Sequence, residues 1–272
     1  MVPTATPGSL AAQALLVERL IDQHRDFALF LDVDGTLIDI ADRPDTVVVP
    51  DALPALIAGL SKHLDGALAL VSGRTITELD RLFTPISLAS AGGHGAQLRL
   101  QAGEPVMTAQ VDSPLPAFLI EAVAALAQSD PRLLFENKST SVALHYRGAP
   151  ELAEPLRARV DELLADARKR THESPDLIAG KMIYEIKPAG FDKGWAISQF
   201  LKQPAFASRM PIMIGDDTTD EAAFAQVARS GGLSLGVGRE LTGVEAVFDS
   251  PAGVRLALAE ALTRALNRML SA

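Results

Sequence analysis

The first apolar run, Phe27-Ala28-Leu29-Phe30-Leu31, has no polar alternation, as in a strand buried on both faces of a parallel sheet. Ala67-Leu68-Ala69-Leu70-Val71 gives a second such strand and Ile86–Ala91 a third. Helical spacing separates them. Residues 9–24, 51–64 (Leu53, Leu56, Ile57, Leu60, Leu64) and 75–83 each predict a helix. Strand–helix–strand order of this kind implies a parallel α/β sheet with right-handed crossovers.

The rhythm changes after about residue 104. Pro105, Pro114 and Pro116 mark turns, and 117–128 is predicted helical. Strands follow at 132–138 and 140–147, then a helix over 151–169 with Leu152, Leu156, Val160, Leu163 and Leu164 on one face. Two more strands are expected near 172–178 and 181–187. From 193 the first pattern resumes: helix 193–202, strand 211–214, helix 219–229, strand 233–237 and helix 251–270. The expected fold is α/β, a Rossmann-like parallel-sheet core over 1–104 and 189–272 with a smaller α+β domain inserted at 105–188.

Composition narrows the partners. The 272 residues are 48% hydrophobic and 22% charged, ordinary for a globular protein. A net charge of −9 argues against nucleic-acid or anionic-membrane binding, which need basic surfaces. Zero cysteines exclude disulfides and thiolate chemistry. No apolar run reaches the roughly 20 residues that span a bilayer, and Met1–Gly8 lacks the basic start of a signal peptide. The expectation is a cytoplasmic monomer with neither a nucleic-acid nor a membrane partner.

The chemistry collects where strands end. Asp32 and Asp34 follow the first strand two residues apart, so both point to one side of extended chain. Ser72 follows the second strand, and Gly215-Asp216-Asp217-Thr218-Thr219-Asp220-Glu221 follows the late one. In open α/β sheets ligands bind beyond these carboxyl ends. Asp32, Asp34 and Asp216 cannot stay ionised together without a cation, because like charges raise each other's pKa. An all-oxygen set favours a hard ion such as Mg²⁺, which commonly completes its shell with substrate phosphate. An EF-hand would need glycine where Leu37 stands, and no G-x-x-x-x-G-K-[ST] occurs. A plain Asp-Gly turn is the bland alternative. Gly92-Gly93-His94-Gly95 and Gly236-Val237-Gly238 do not complete a dinucleotide fingerprint and read as tight turns.

Together, Asp32-Val33-Asp34-Gly35-Thr36, Ser72-Gly73-Arg74, Lys193-Gly194 and Gly215-Asp216-Asp217 resemble the four-motif signature of the haloacid dehalogenase (HAD) superfamily of aspartate-nucleophile phosphatases. The inserted domain is similar to the α/β cap of one branch of that superfamily. The resemblance implies Asp32 as nucleophile and Asp34 as general acid and base. It implies Mg²⁺ held by Asp32, the Asp34 backbone carbonyl and Asp216, with Asp217 and Asp220 in support. Ser72, Gly73 and Lys193 would hold the phosphoryl group. Without this context, Ser72 reads as a helix cap and Lys193 as a solvated charge.

Parity along the inserted strands separates two faces. Val142, Leu144 and Tyr146 alternate with Ser141, His145 and Arg147; Leu133 and Phe135 oppose Glu136 and Lys138; Met182, Tyr184 and Ile186 oppose Lys181, Glu185 and Lys187. A solvated sheet face is the default reading of any one such strand. Three of them beside a phosphatase site point to a polar ligand, and sugar hydroxyls need both donors and acceptors. Glu136-Asn137-Lys138, Ser141–Arg147, Gly180-Lys181 and Glu185–Pro188 are similar to the cap pattern of trehalose-6-phosphate phosphatases. That likeness implies a small-molecule sugar phosphate as substrate. Glu136, Lys138, Lys181 and Glu185 would hold its distal ring, with His145 and Arg147 supporting and His94 nearby. Gln97 departs from the pattern, where an acid is more usual. Sucrose-phosphate and mannosyl-phosphoglycerate phosphatases, and a non-catalytic sugar-phosphate-binding regulator, are the alternatives.

Overall fold

The computed structural model describes residues 6–22, 25–41, 46–108, 115–138, 141–171, 174–180 and 182–271. The chain divides into two compact units, one of Met1–Thr108 with Asp192–Ala272, the other of Ala109–Phe191.

In the first unit the chain runs α1 (Pro7–Asp22), β1 (Phe27–Leu31), α2 (Leu53–His63), β2 (Leu68–Val71), α3 (Ile76–Leu82), β3 (Ala89–Gly92), β4 (Gln97–Arg99) and β5 (Met107–Thr108). The second unit holds α4 (Ala117–Ala127), β6 (Leu134–Asn137), β7 (Val142–His145), α5 (Ala153–Thr171), β8 (Asp176–Gly180) and β9 (Ile183–Lys187). The chain then returns to the first unit with α6 (Lys193–Phe200), β10 (Met210–Gly215), α7 (Glu221–Arg229), β11 (Leu233–Val237), β12 (Ala246–Phe248) and α8 (Pro251–Ser271).

The first unit carries an eight-stranded sheet in the order β12-β11-β10-β1-β2-β3-β4-β5. It is parallel except for β4 and β5, which pair antiparallel at one edge. This is the α/β architecture that the unbroken apolar runs imply. All five residues of β1 are buried, and it lies between β10 and β2. Phe30 stacks on Phe206 with ring centroids 5.6 Å apart and meets Phe200 at 5.9 Å. The central strand is thus fixed by packing on both faces, and Asp32 follows directly from its end. The backbone N–H of Asp32 still donates to Ile214 of β10, at 3.0 Å.

The inserted unit is a four-stranded antiparallel sheet, β6-β7-β9-β8. Val142, Leu144, Tyr146, Tyr184 and Ile186 are buried in one cluster with residues of α4 and α5. Met182 departs from the parity pattern. It adopts φ 64° in the turn before β9 and is 38% exposed, so it does not join the apolar face.

Other differences have local causes. The strand expected at 86–91 begins only at Ala89, because Ile86 N–H closes a turn onto Phe83 carbonyl at 3.0 Å. The sequence pattern does not predict β4, β5 and β12; segments of two or three residues carry no periodicity and form only because a neighbouring strand is in place. Lys181 lies outside the described residues.

Truncating Phe30 to alanine should cost about 3–5 kcal/mol of unfolding free energy, measured by denaturant titration. Leu134→Ala, at a side chain 61% exposed, should change it by no more than about 0.5 kcal/mol. Equal effects would contradict the packing described.

Candidate active site

Four charged side chains meet at the carboxyl ends of β1 and β10. Lys193, the first residue of α6, is 3% exposed. Its ammonium donates to Asp32 Oδ1 at 2.8 Å and to Asp220 Oδ1 at 2.7 Å. Asp192 caps α6 by accepting from Trp195 N–H at 2.6 Å, which fixes where the helix, and hence Lys193, begins. Asp32 is 4% exposed and Asp220 fully buried. Asp220 Oδ2 accepts from the backbone N–H groups of Asp216 and Asp217, each at 3.1 Å. Asp32, Asp216 and Asp220 each offer a carboxylate oxygen within 4.8 Å of the others.

Asp216 lies close against the turn after β1. Gly35 adopts φ +83°, and a Cβ there would lie 2.1 Å from Asp216 Oδ2. Only glycine admits both the left-handed backbone and the carboxylate above it. The Asp-Gly pair is therefore a turn, as the bland reading has it, and one shaped around a third acid.

Three carboxylates against one ammonium leave the site short of positive charge, and Asp32, Asp216 and Lys193 hold protons more tightly than usual. Burial raises the Asp32 carboxyl well above its ordinary range; Lys193 opposes this, while Asp220 and Asp216 add to it. Burial likewise pushes Asp216 up to about 6, with Asp220 adding to the rise and Lys193 opposing it. For Lys193 burial works against the charge, but Asp220 and Asp32 outweigh it and raise its pKa. With all acids ionised the deficit is two charges, which a divalent cation would cancel. The donors are all oxygen, the chemistry of a hard ion.

The remaining core residues take separate places. The Asp34 carboxylate lies outside the trio, held at both oxygens by Arg74, Nε to Oδ2 and Nη2 to Oδ1, each 2.6 Å. Asp217 is turned to Arg239, which donates to Oδ1 at 2.6 Å. Ser72 is 1% exposed and its Oγ accepts from Arg74 N–H at 3.1 Å. His94 adopts φ 54°, and its ring covers Gly73 so closely that a Cβ there would lie 2.6 Å from Nε2. Gln97 Oε1 accepts from Ile76 N–H at 2.9 Å, at the start of α3. An amide oxygen supplies the acceptor there as an acid would, which accounts for the departure seen in the sequence.

In the inserted sheet, Glu136, Ala143, Glu185 and Ile178 stand in one cross-strand row. The two acids flank the smallest of the four side chains. Glu185 is only 3% exposed; Oε1 accepts from Ser141 Oγ at 2.6 Å and Oε2 from Lys138 Nζ at 2.9 Å. Glu136 Oε2 lies 2.9 Å from His145 Nε2. That contact lowers the Glu136 pKa, with burial opposing it and Lys138 assisting. Arg147 is exposed beyond β7. Sequence reasoning gave no separate role to Arg74, Ser141 or Arg239. Arg74 and Ser141 stand inside the motifs quoted for the resemblance, whereas nothing around Arg239 marks it out. Among the described residues no helix is long and apolar enough to cross a membrane.

Residues 30–250 match the family model described as trehalose-phosphatase. A probable trehalose-phosphate phosphatase of Sinorhizobium fredii is 44% identical over 231 residues, 85% of each chain. The trehalose-6-phosphate phosphatase of Escherichia coli K12 is 39% identical over 218 residues, 79% of each. The C-terminal domain of the C. albicans trehalose-6-phosphate phosphatase superposes with a TM-score of 0.78 over 92% of this chain and 96% of that one, at 18% identity. That likeness shows a common fold, one that extends to phosphatases of the HAD superfamily.

The raised Asp216 carboxyl has a measurable consequence. Its folded value of about 6 exceeds the ordinary 3.8, so ionising it costs stability, from nothing below 3.8 to the full amount above 6. Asp216→Asn removes that cost. In chelator, thermal unfolding should show the variant gaining on the wild type as pH rises from about 4 to about 6. A difference independent of pH would contradict the electrostatic account.

Proposed function

The chain belongs to the trehalose-phosphatase family, and from that premise we propose that it hydrolyses trehalose 6-phosphate to trehalose and inorganic phosphate through a phosphorylated aspartate. It is a phosphoric monoester hydrolase by its kinship. The observation that carries the mechanism is Asp32, placed at the end of the central strand and tied to Lys193 beside Asp216 and Asp220.

In the first step an Asp32 oxygen bonds to phosphorus as the ester P–O bond breaks, and Asp34 gives a proton to the departing sugar oxygen. In the second a water oxygen bonds to phosphorus, the bond to Asp32 breaks, and Asp34 takes the water's proton. Inorganic phosphate leaves and Asp32 is regenerated. Ser72 accepts from the Arg74 N–H, so its own O–H can be turned to a phosphoryl oxygen. Lys193 and the Gly73 backbone complete that cradle, where the transferred group's charge is stabilised.

Asp32, Asp216 and the Asp34 carbonyl are the groups that would hold Mg²⁺. Both oxygens of Asp220 are engaged, one by Lys193 and one by two backbone N–H groups, so we give Asp220 a supporting role. When bound, Mg²⁺ supplies the missing positive charge and polarises a phosphoryl oxygen. From the inserted part of the chain, Glu136, Lys138, Lys181 and Glu185 are proposed to read the distal glucose, with His145 and Arg147 supporting. The cross-strand row supports it in that Glu136 and Glu185 flank Ala143, and carboxylates accept from sugar hydroxyls. We place the enzyme in the cytoplasm, as a monomer.

Phosphate release across a panel of sugar phosphates tests the substrate. Trehalose 6-phosphate should be hydrolysed fastest, only with Mg²⁺, and not at all by Asp32→Asn. Equal or greater turnover of glucose 6-phosphate or sucrose 6-phosphate would overturn the specific assignment and spare the mechanism. Glu136→Ala and Lys181→Ala should each lower turnover of trehalose 6-phosphate at least tenfold, about 1.4 kcal/mol, while an aryl phosphate is little affected. Equal losses on both substrates would mean that these residues do not read the sugar.

A further inference from the structure

The Arg74 side chain has no part in the steps above, yet its mounting is unusually complete. Its N–H donates to Ser72 Oγ at 3.1 Å and its carbonyl accepts from Gly93 N–H at 2.9 Å. The next residue, Thr75, opens α3 through a reciprocal cap with Glu78. The side chain is 11% exposed and presents the Nε and Nη2 edge of the guanidinium to Asp34, with 2.6 Å to each carboxylate oxygen. Two parallel contacts to a planar fork fix both torsions of an aspartate, which one contact does not.

Asp34 has need of such a hold. Its side chain is 34% exposed, it lies beyond β1 with only an isolated bridge to Ile38 across the turn 35–37, and its carboxylate lies outside the cluster around Lys193. An aspartate in that setting would otherwise exchange among staggered rotamers. A carboxylate offers about four lone-pair directions. The fork takes one on each oxygen and leaves one on each, in a fixed direction.

We propose that Arg74 is a positioning residue that aims Asp34 at the water hydrolysing the phosphorylated enzyme. The inference rests on the phosphatase reading given above. In that step the water oxygen bonds to phosphorus, the bond from phosphorus to Asp32 breaks, and the water's proton passes to Asp34. Arg74 touches none of these atoms and acts through the orientation of the base. Formation of the phosphorylated enzyme from an ester with a good leaving group needs no proton from Asp34, so loss of Arg74 should spare that half-reaction and slow the other. A general structural defect would slow both.

The test is pre-steady-state turnover of an aryl phosphate with Mg²⁺, with intact-protein mass measured after acid quench. Arg74→Ala should release its first equivalent of phenol near the wild-type rate and then stall. Phosphorylated enzyme should accumulate and the steady-state rate fall about 10–100-fold. Asp34→Asn should stall in the same way. Guanidinium added to Arg74→Ala should restore turnover, and Arg74→Lys, which keeps the charge but not the fork, should stall too. Should Arg74→Ala fail to fold, Arg74→Lys carries the same test. Both phases slowed alike without accumulation, or Arg74→Lys turning over as the wild type does, would overturn the proposal. A wild-type chain that hydrolyses the aryl ester but not trehalose 6-phosphate would refute the substrate reading alone.

Discussion

One buried ammonium holds the site together. Lys193 is 3% exposed and donates to two carboxylates that stand 161 and 27 residues away in the chain. A charge so far from water survives only when paired, and its partners survive only through it. The lysine therefore ties the end of β1 to the turn after β10. It also leaves the site with more negative charge than it can balance alone. A divalent cation would offset that shortfall; at Asp216 burial, with Asp220 adding to it, raises the carboxyl to about 6.

The acids around this lysine are not interchangeable. Asp32 ends a strand buried along its length, and its position is set by sheet pairing and core packing. Asp220 spends both oxygens on holding other groups in place. Asp34 sits apart, steered by Arg74. Residues of one chemical type thus take different proposed parts, Asp32 as nucleophile, Asp220 as support and Asp34 as acid–base group, in keeping with what each one touches. In the inserted sheet the same economy appears in Glu185, which is buried yet satisfied by Ser141 and Lys138.

Much of this was legible in the sequence, for identifiable reasons. β1, β2 and β10 are long apolar runs, and acids or a hydroxyl directly after such runs mark the functional edge of an α/β sheet. β4, β5 and β12 were not legible, because segments this short depend on a neighbour rather than on their own pattern. Lys193 taken alone read as a surface charge; only the fold shows it buried. Arg74 was part of a motif without a task, since its partner lies 40 residues earlier. Met182 followed the strand parity on paper and left it in space, because its backbone turns to positive φ.

The central claim is that Asp32, held by Lys193, carries the phosphoryl group during turnover. Borohydride reduction of acid-quenched protein converts a phosphorylated aspartate to homoserine, and peptide mass mapping then locates it. With trehalose 6-phosphate and Mg²⁺, homoserine should replace aspartate at position 32 and nowhere else. Phosphate release with position 32 unchanged, or with the label on Asp34, Asp216 or Asp220, would contradict the account.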